Sequence, residues 1–148
     1  GYQKLSISYF TIMREKKMPV LVMFIDLDRL KYINDTFGHE YGDFAIVSIA
    51  KAMLKHCDAD AIAARTGGDE FIVLEGAKDE ESGRVLAQKI RTELSKTQRA
   101  MQLPFDLGAS IGAVVAHPGE ENVLESYVKR AEMLMYEEKA EKKVSRDS

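Results

Sequence analysis

Two short acidic segments carry residue types that suit the binding of a divalent cation beside a polyphosphate. Asp26 and Asp28 follow an apolar run, and Asp69 and Glu70 follow the glycine pair at 67–68. Carboxylate oxygens are the ligands that Mg²⁺ and Mn²⁺ prefer. The alternative is that these acids are solvated turn residues, because Asp and Gly are common in turns. The presence of both segments in one chain favours metal binding.

The first acidic segment ends a predicted strand. Val20 to Ile25 form a continuous apolar run, which is typical of a central strand buried on both faces. Residues two positions apart on a strand point to the same face, so we expect the side chains of Asp26 and Asp28 on one side of the sheet. The end of the strand also leaves the Leu27 carbonyl available as an oxygen ligand.

The second acidic segment lies in a predicted β-hairpin. Two largely apolar runs, 61–66 and 69–74, flank the glycines, and this pattern favours a two-residue primed turn with positive φ. Asp69 and Glu70 would point to opposite faces of a regular strand. We therefore expect at most one of them to face the cleft directly, unless the tip of the hairpin is irregular.

The remaining chain alternates between helical and strand patterns, so we predict one α/β (α+β) domain over residues 1–148. Its fold class is a mixed, mainly antiparallel central sheet of about five strands with flanking helices. The polar end, residues 142–148, is expected to fray. The predicted helices span residues 2–15, 29–37, 40–56, 79–96 and 122–142, and the predicted strands span 20–25, 61–66, 69–74 and 105–115.

Composition restricts the class of protein. The formal net charge is −3, so no global positive field attracts nucleic acid or an anionic membrane. The single cysteine, Cys57, excludes an internal disulfide and fits a reducing compartment. The chain has no apolar run of the roughly 20 residues that a membrane span needs. We expect a cytoplasmic domain that makes no direct membrane contact. We also expect it to be a fragment of a larger protein, for which a membrane anchor remains open.

The two acidic segments resemble the GGDEF family of diguanylate cyclases. Residues 24–43 and 67–71 carry the likeness, which continues through Ser110-Ile-Gly and residues 130–139. The resemblance implies a palm-like sheet with a ferredoxin-like core, as in nucleotidyl cyclases. It also implies the conversion of two GTP molecules to cyclic di-GMP and two pyrophosphates.

The resemblance also implies which residues hold metal and act in catalysis. Two Mg²⁺ (or Mn²⁺) ions per active site would be bound by Asp26, the Leu27 carbonyl, Asp69 and Glu70. Glu70 or Asp69 would help to deprotonate the attacking ribose 3′-hydroxyl. Gly67 and Gly68 would let the hairpin tip lie close to the nucleotide. Arg65 would stabilise transition-state charge or orient the acids; the alternative is a plain ion pair with them across the hairpin.

By the same resemblance, Asn34 and Asp43 bind guanine. Guanine presents N–H donors that a carboxylate accepts, whereas an Asn side chain both donates and accepts. The alternatives are a helix C-cap for Asn34 and a favourable N-terminal helix charge for Asp43. His39 would orient the substrate or form a structural hydrogen bond.

Phosphate binding falls to cations and backbone amides. Lys31, Lys139 and Lys143 match phosphate-contacting positions of the family, although most lysines are solvated helix residues. The backbone amides of Arg29 and Leu30, near a helix start, would also contact phosphate oxygens.

Three of the chain's departures from the family pattern bear on its function. The entry segment Asp-x-Leu-Thr-Gly-Leu-x-Asn-Arg is absent. The helix end Lys-x-x-Gly-Arg-Asn reads Lys139-Ala-Glu-Lys142-Lys143-Val144, so Lys143 replaces an arginine and loses its bidentate geometry. The product-inhibition motif Arg-x-x-Asp has Asp58 and Ala61 at its two positions, which predicts no feedback through that site.

Three functions remain open. The first is an active cyclase that needs a homodimer, if only a transient one, and that regulatory domains of the parent chain control. The second is a catalytically weak or inactive module that binds GTP or a partner domain. The third, another nucleotidyl cyclase or a polymerase-like transferase, is disfavoured by Asn34 and Asp43.

Overall fold

A computed structural model describes residues 1–147 of the chain, which form alternating helices and strands in the predicted order. The elements are α1 (Tyr2–Glu15), β1 (Val20–Leu27), α2 (Leu30–Phe37), α3 (His39–His56), β2 (Ile62–Arg65), β3 (Glu70–Gly76), α4 (Ser82–Ala100), β4 (Ala109–Ala116) and α5 (Leu124–Asp147). None of the helices in this described range is long and apolar enough to cross a bilayer.

The described residues form one sheet with the strand order β2-β3-β1-β4, in which all neighbours are antiparallel. From β1 onward the elements follow the βαββαβ order of a ferredoxin-like core, with two helices in the first connection. The fold class is confirmed, but the count of about five strands is wrong because the sheet has four.

The segment before β4 explains part of the difference from the predicted boundaries. The strand predicted over 105–115 begins only at Ala109. The Leu107 amide, which would extend the strand, instead donates to the Gln98 side chain at 2.8 Å. This side-chain contact ties the segment to α4 and removes it from the sheet.

The central strand β1 divides the core into two layers. All eight of its residues are buried, as its apolar sequence predicted. Leu21, Met23 and Ile25 pack against α3 and α4 on one face, and Val22 and Phe24 pack against α1 and α5 on the other. Because side chains alternate along a strand, Asp26 must point to the α1–α5 face.

Helix α5 lies very close to the sheet at Gly112 of β4. A Cβ atom at this glycine would be 1.9 Å from the Ala131 carbonyl oxygen and 2.5 Å from the Met135 amide nitrogen. The helix backbone therefore rests directly on the strand. The predicted fraying of residues 142–148 is wrong for its described part, since α5 continues to Asp147; Ser148 lies outside the described residues.

The hairpin between β2 and β3 is confirmed, but its turn type is not. Residues 66–69 form the connection, and the Thr66 amide donates to the Glu70 carbonyl at 2.8 Å. Neither Gly67 nor Gly68 has the positive φ that a primed turn requires; among described glycines only Gly38 does. Because the connection is longer than a two-residue turn, its glycines do not need positive φ.

Candidate active site

The two acidic segments meet where β1 and β3 end. Asp26 pairs with Glu70 in the strand register, and the Leu27 amide donates to the Asp69 carbonyl at 2.8 Å. Carboxylate oxygens of Asp26, Asp69 and Glu70 lie within 4.8 Å of one another. We call these three side chains the carboxylate cluster.

Both acids of the hairpin reach the cluster, which corrects the expectation that only one faces the cleft. Asp69 belongs to the bend, and β3 begins at Glu70. Strand alternation therefore does not govern the direction of Asp69, and the irregular tip turns both side chains towards Asp26.

Asp26 near the end of β1 and Asp28 just beyond it point to the same side, as their spacing predicted, and both contact α5. The Lys139 ammonium lies 2.5 Å from the Asp26 carboxylate, and the Lys142 ammonium lies 2.7 Å from the Asp28 carboxylate. Asp28 also accepts a 2.7 Å hydrogen bond from the Ser110 hydroxyl. Asp28 is thus beside the cluster without belonging to it.

Burial and mutual repulsion shape the electrostatics of the cluster. Burial raises the pKa of Asp26 to about 6, and the charges of Asp69 and Glu70 act in the same direction, although Lys139 opposes them. Burial and the neighbouring carboxylates of Asp69 and Glu132 also raise the pKa of Glu70. Burial acts to lower the pKa of Lys139, but its hydrogen bond to Asp26 and the nearby acids raise it overall. The site therefore holds more negative charge than Lys139 neutralises.

This excess of negative charge indicates that the carboxylate cluster suits a divalent cation. Three carboxylates converge within 4.8 Å, and their oxygens are the donors that Mg²⁺ and Mn²⁺ prefer. A cation at this position would relieve the repulsion that raises the pKa of both Asp26 and Glu70. The donor set fits the predicted metal.

Arg65 stabilises the bend instead of pairing with the acids. Its Nε atom donates to the Gly67 carbonyl at 3.0 Å, and its Nη2 atom donates to the Gly68 carbonyl at 2.6 Å. No ion pair joins Arg65 to Asp69 or Glu70 in the described part of the chain. The glycines are exposed and lie directly before the acids.

The residues predicted to bind guanine lie on α2 and α3. Asn34 is half-buried, and its side chain covers Gly42, where a Cβ atom would be 1.8 Å from the Asn34 Oδ1 atom. Asp43 follows this glycine and is exposed, as is His39 at the start of α3. The contact that ends α2 is made by the backbone, because the Gly38 amide donates to the Asn34 carbonyl at 3.0 Å. The Asn34 side chain is therefore not a C-cap.

The residues predicted to contact phosphate differ in their surroundings. Lys31 is exposed and forms an ion pair with Asp35 at 3.5 Å. Arg29 precedes the first turn of α2 with a left-handed backbone (φ 58°), and its guanidinium lies 3.9 Å from the centre of the Tyr32 ring. Leu30 begins α2, and Lys143 is exposed on α5. Only Lys139, of the predicted cations, contacts the cluster among residues 1–147.

Sequence reasoning missed the contacts that hold α5 over the cluster. Glu138 accepts two 2.7 Å hydrogen bonds from Arg91 of α4, and Lys142 binds Asp28. One signal was available in the sequence. Asp26 and Asp28 are two positions apart, and Lys139 and Lys142 are three positions apart on a predicted helix. Matched spacings of this kind indicate paired contacts once the elements are known to pack.

Comparison with known proteins gives one consistent result. A family model described as "Diguanylate cyclase, GGDEF domain" matches residues 2–145. The probable diguanylate cyclase DgcT of Escherichia coli is 36% identical over 127 residues, which are 84% of this chain and 28% of that protein. Diguanylate cyclase VdcA of Vibrio cholerae is 34% identical over 134 residues, which are 88% of this chain and 39% of that protein. The chain thus spans well under half the length of either relative.

A solved structure has the same fold. It is the crystal structure of the GGDEF domain of DgcB from Caulobacter crescentus in complex with c-di-GMP, with a TM-score of 0.78 and 25% identity. The match covers 94% of this chain and 82% of that chain.

Proposed function

The chain belongs to the GGDEF family of diguanylate cyclases, and on that premise we propose that it condenses two GTP molecules into cyclic di-GMP with release of two pyrophosphates. The observation that carries this proposal is the convergence of Asp26, Asp69 and Glu70 within 4.8 Å under the ammonium of Lys139. Clustered carboxylates are costly to maintain unless they bind a cation.

Two divalent cations, held by Asp26, the Leu27 carbonyl, Asp69 and Glu70, would neutralise phosphate charge and polarise the reacting oxygens. The chain itself supplies the rest. Glu70 or Asp69 accepts the proton of the ribose 3′-hydroxyl, and the new bond forms between that oxygen and the α-phosphate as pyrophosphate leaves. Arg65 maintains the bend through the glycine carbonyls and so orients both acids.

Substrate binding extends from the cluster to α2 and α3. Asn34 and Asp43 bind the guanine edge, and His39 orients the nucleotide. Lys139 and Lys143 of α5, Lys31 of α2 and the amides of Arg29 and Leu30 bind phosphate oxygens, because the charge of a triphosphate exceeds what two metal ions neutralise. Gly67 and Gly68 allow the bend to approach the nucleotide without a Cβ clash.

Each domain holds one GTP, so the reaction needs two copies that face each other. The product is two-fold symmetric, which suits an isologous homodimer. The dimer is transient unless other domains of the parent protein hold it together, and the GTP substrate fits a cytoplasmic location. Nucleic acid and membrane are not partners in this proposal.

A second candidate function is a regulatory module that binds GTP with weak or no catalysis. The observation in its favour is Lys143, at a position where the family pattern has arginine, because a lysine cannot grip a phosphate in bidentate fashion. Binding without turnover would distinguish this module from a cyclase.

The test is an assay of the purified chain at high concentration with GTP and Mg²⁺, followed by chromatography for cyclic di-GMP. We expect product from the wild type and none above about a hundredth of that amount from Asp69→Asn, which keeps the shape of the side chain but removes its charge. Asp60→Asn, an exposed acid at the other end of the hairpin, serves as the matched control and should retain full activity. Product from Asp69→Asn would contradict the assigned site, and a cyclic di-AMP peak with ATP would contradict the guanine assignment.

A further inference from the structure

A second lysine of α5 is held in place by three oxygen atoms near the carboxylate cluster. The Lys142 ammonium donates to the Asp28 carboxylate at 2.7 Å and to the Ala109 carbonyl at 2.7 Å, and it lies 3.4 Å from the Glu138 carboxylate. Its position in the family pattern is that of a glycine. The contacts of Lys142 are therefore not part of that pattern.

The contacts of Lys142 run parallel to those of Lys139. Asp26 lies near the end of β1, and Asp28 follows two positions later, just beyond the strand. The lysines are three positions apart on α5, where neighbouring Cβ atoms are about 5–6 Å apart. The middle of α5 rests on the sheet at Gly112, and the two consecutive ion pairs restrain the part of the helix beyond this contact, which carries Lys139.

The other partners of this contact are anchored as well. Asp28 accepts a hydrogen bond from Ser110, which is fully buried. Glu138 is held by two hydrogen bonds from Arg91 and accepts a weaker one from the Ile111 amide at 3.3 Å. Lys142 thus joins α5 to groups on β1 and β4 that are themselves fixed.

The proposed reaction requires one of the two ion pairs to break and allows the other to persist. Asp26 belongs to the carboxylate cluster, so Lys139 must release it when metal and phosphate bind. Asp28 does not belong to the cluster, and the pair between Asp28 and Lys142 can persist throughout. In the proposed reaction, Lys139 therefore exchanges its partner, whereas Lys142 keeps its partner.

We propose that Lys142 is a positioning residue that holds α5 over the end of β1, so that Lys139 remains above the carboxylate cluster when it exchanges Asp26 for nucleotide phosphate. The inference rests on the proposed function, because it assumes that phosphate binds beside the cluster. Lys142 itself acts through Lys139 and needs no contact with the nucleotide.

A double-mutant cycle tests this coupling. The measurement is the affinity for 3′-deoxy-GTP with Mg²⁺ by calorimetry, since this analogue lacks the attacking hydroxyl and is not consumed. We expect Lys142→Met, which keeps the length of the side chain, to weaken binding about tenfold in the wild-type background and less than about twofold in a Lys139→Met background. Lys142→Arg should retain affinity within about threefold, because it keeps the charge.

Lys129→Met is the matched control, since Lys129 lies exposed on the same helix and pairs with Glu125. It should leave both affinity and turnover unchanged. If Lys142→Met is too unstable to purify, Lys142→Gln in the wild-type and Lys139→Met backgrounds gives the same comparison.

Each outcome bears on the proposal. An equal loss of affinity in both backgrounds would mean that Lys142 acts independently of Lys139, and no loss in the wild-type background would remove its role; either result overturns the inference. A wild type that binds the analogue and shows the predicted coupling, yet makes no cyclic di-GMP, supports the inference and rejects the cyclase proposal. A wild type that does not bind the analogue rejects both.

Discussion

At the scale of single residues, the contact between Asn34 and Gly42 allows the proposed guanine binding to be tested separately from the stability of the fold. The Asn34 side chain fills the space where any other residue at position 42 would have its Cβ atom. The clash would be with the end of a side chain that is free to rotate, so the helix backbone need not move. The direction of Asn34 therefore depends on the glycine.

We predict that Gly42→Ala weakens GTP binding about tenfold without destabilising the fold. The alanine Cβ would lie 1.8 Å from the Asn34 Oδ1 atom and must displace it, whereas alanine favours a helix interior over glycine by about 1 kcal/mol. Calorimetry with 3′-deoxy-GTP and urea unfolding measure the two effects. A Gly42→Ala variant that binds normally would contradict the role of Asn34, and Asn34→Ala alone should reproduce the loss.

The acids proposed to bind metal were predictable residue by residue, but their geometry was not. Asp26, Asp69 and Glu70 were identified by type and by their places at strand ends. Whether Asp69 joined them depended on the shape of residues 66–69, which Arg65 maintains through two backbone carbonyls. Contacts of this kind come from the folded bend and have no pattern in the sequence.

At the scale of secondary structure, periodicity predicted the order and type of the elements and the buried face of α4, where Leu86, Ile90 and Leu94 are all buried. It was less accurate for α3 and α5. Leu134 has the helical spacing of the buried Tyr127 and Ala131 on α5, yet it is 41% exposed, whereas Met135 is fully buried. Likewise Leu54 of α3 is 75% exposed although it fits the apolar spacing of Ile46, Ile49 and Met53. The orientation of a helix is set by what it packs against, and for α5 that contact is the glycine of β4.

We predict that Gly112→Ala destabilises the protein by about 3 kcal/mol or more, because overpacking here meets helix backbone and not a mobile side chain. The new methyl would lie 1.9 Å from the Ala131 carbonyl oxygen, so α5 must lift and carry Lys139 away from Asp26. Urea unfolding and the cyclase assay measure both consequences. Gly119→Ala is the control, since a Cβ atom there meets nothing within 4 Å; equal stability of the two variants would contradict the close packing of α5.

At the scale of the whole molecule, one domain would provide one nucleotide site in the proposed reaction, and a cyclic dinucleotide needs two. The carboxylate cluster lies beside an exposed bend at one end of the sheet, where a second copy has access. The family resemblance predicted the dimer from the symmetry of the product, and this remains a prediction about assembly.

We predict that specific activity rises in proportion to enzyme concentration in the dilute range, because the fraction of chains in dimers then follows mass action. An initial-rate series over a hundredfold dilution measures this dependence. Excess Asp69→Asn chain should also lower the activity of a fixed amount of wild type, since mixed dimers have only one complete site. Constant specific activity throughout the series would argue for catalysis by single chains or for a dimer too tight to dissociate, and size-exclusion chromatography distinguishes these two.

The outer strand β4 has backbone groups that α5 already occupies: the Ala109 carbonyl accepts from Lys142, and the Ile111 amide donates to Glu138. An exposed edge strand has unpaired backbone groups to which a strand of another chain can form hydrogen bonds. Here that route to self-association is obstructed by the chain's own ionic side chains. Edge-to-edge pairing of two copies through the start of β4 is thus disfavoured, which is compatible with the encounter across the carboxylate cluster that the proposed reaction requires.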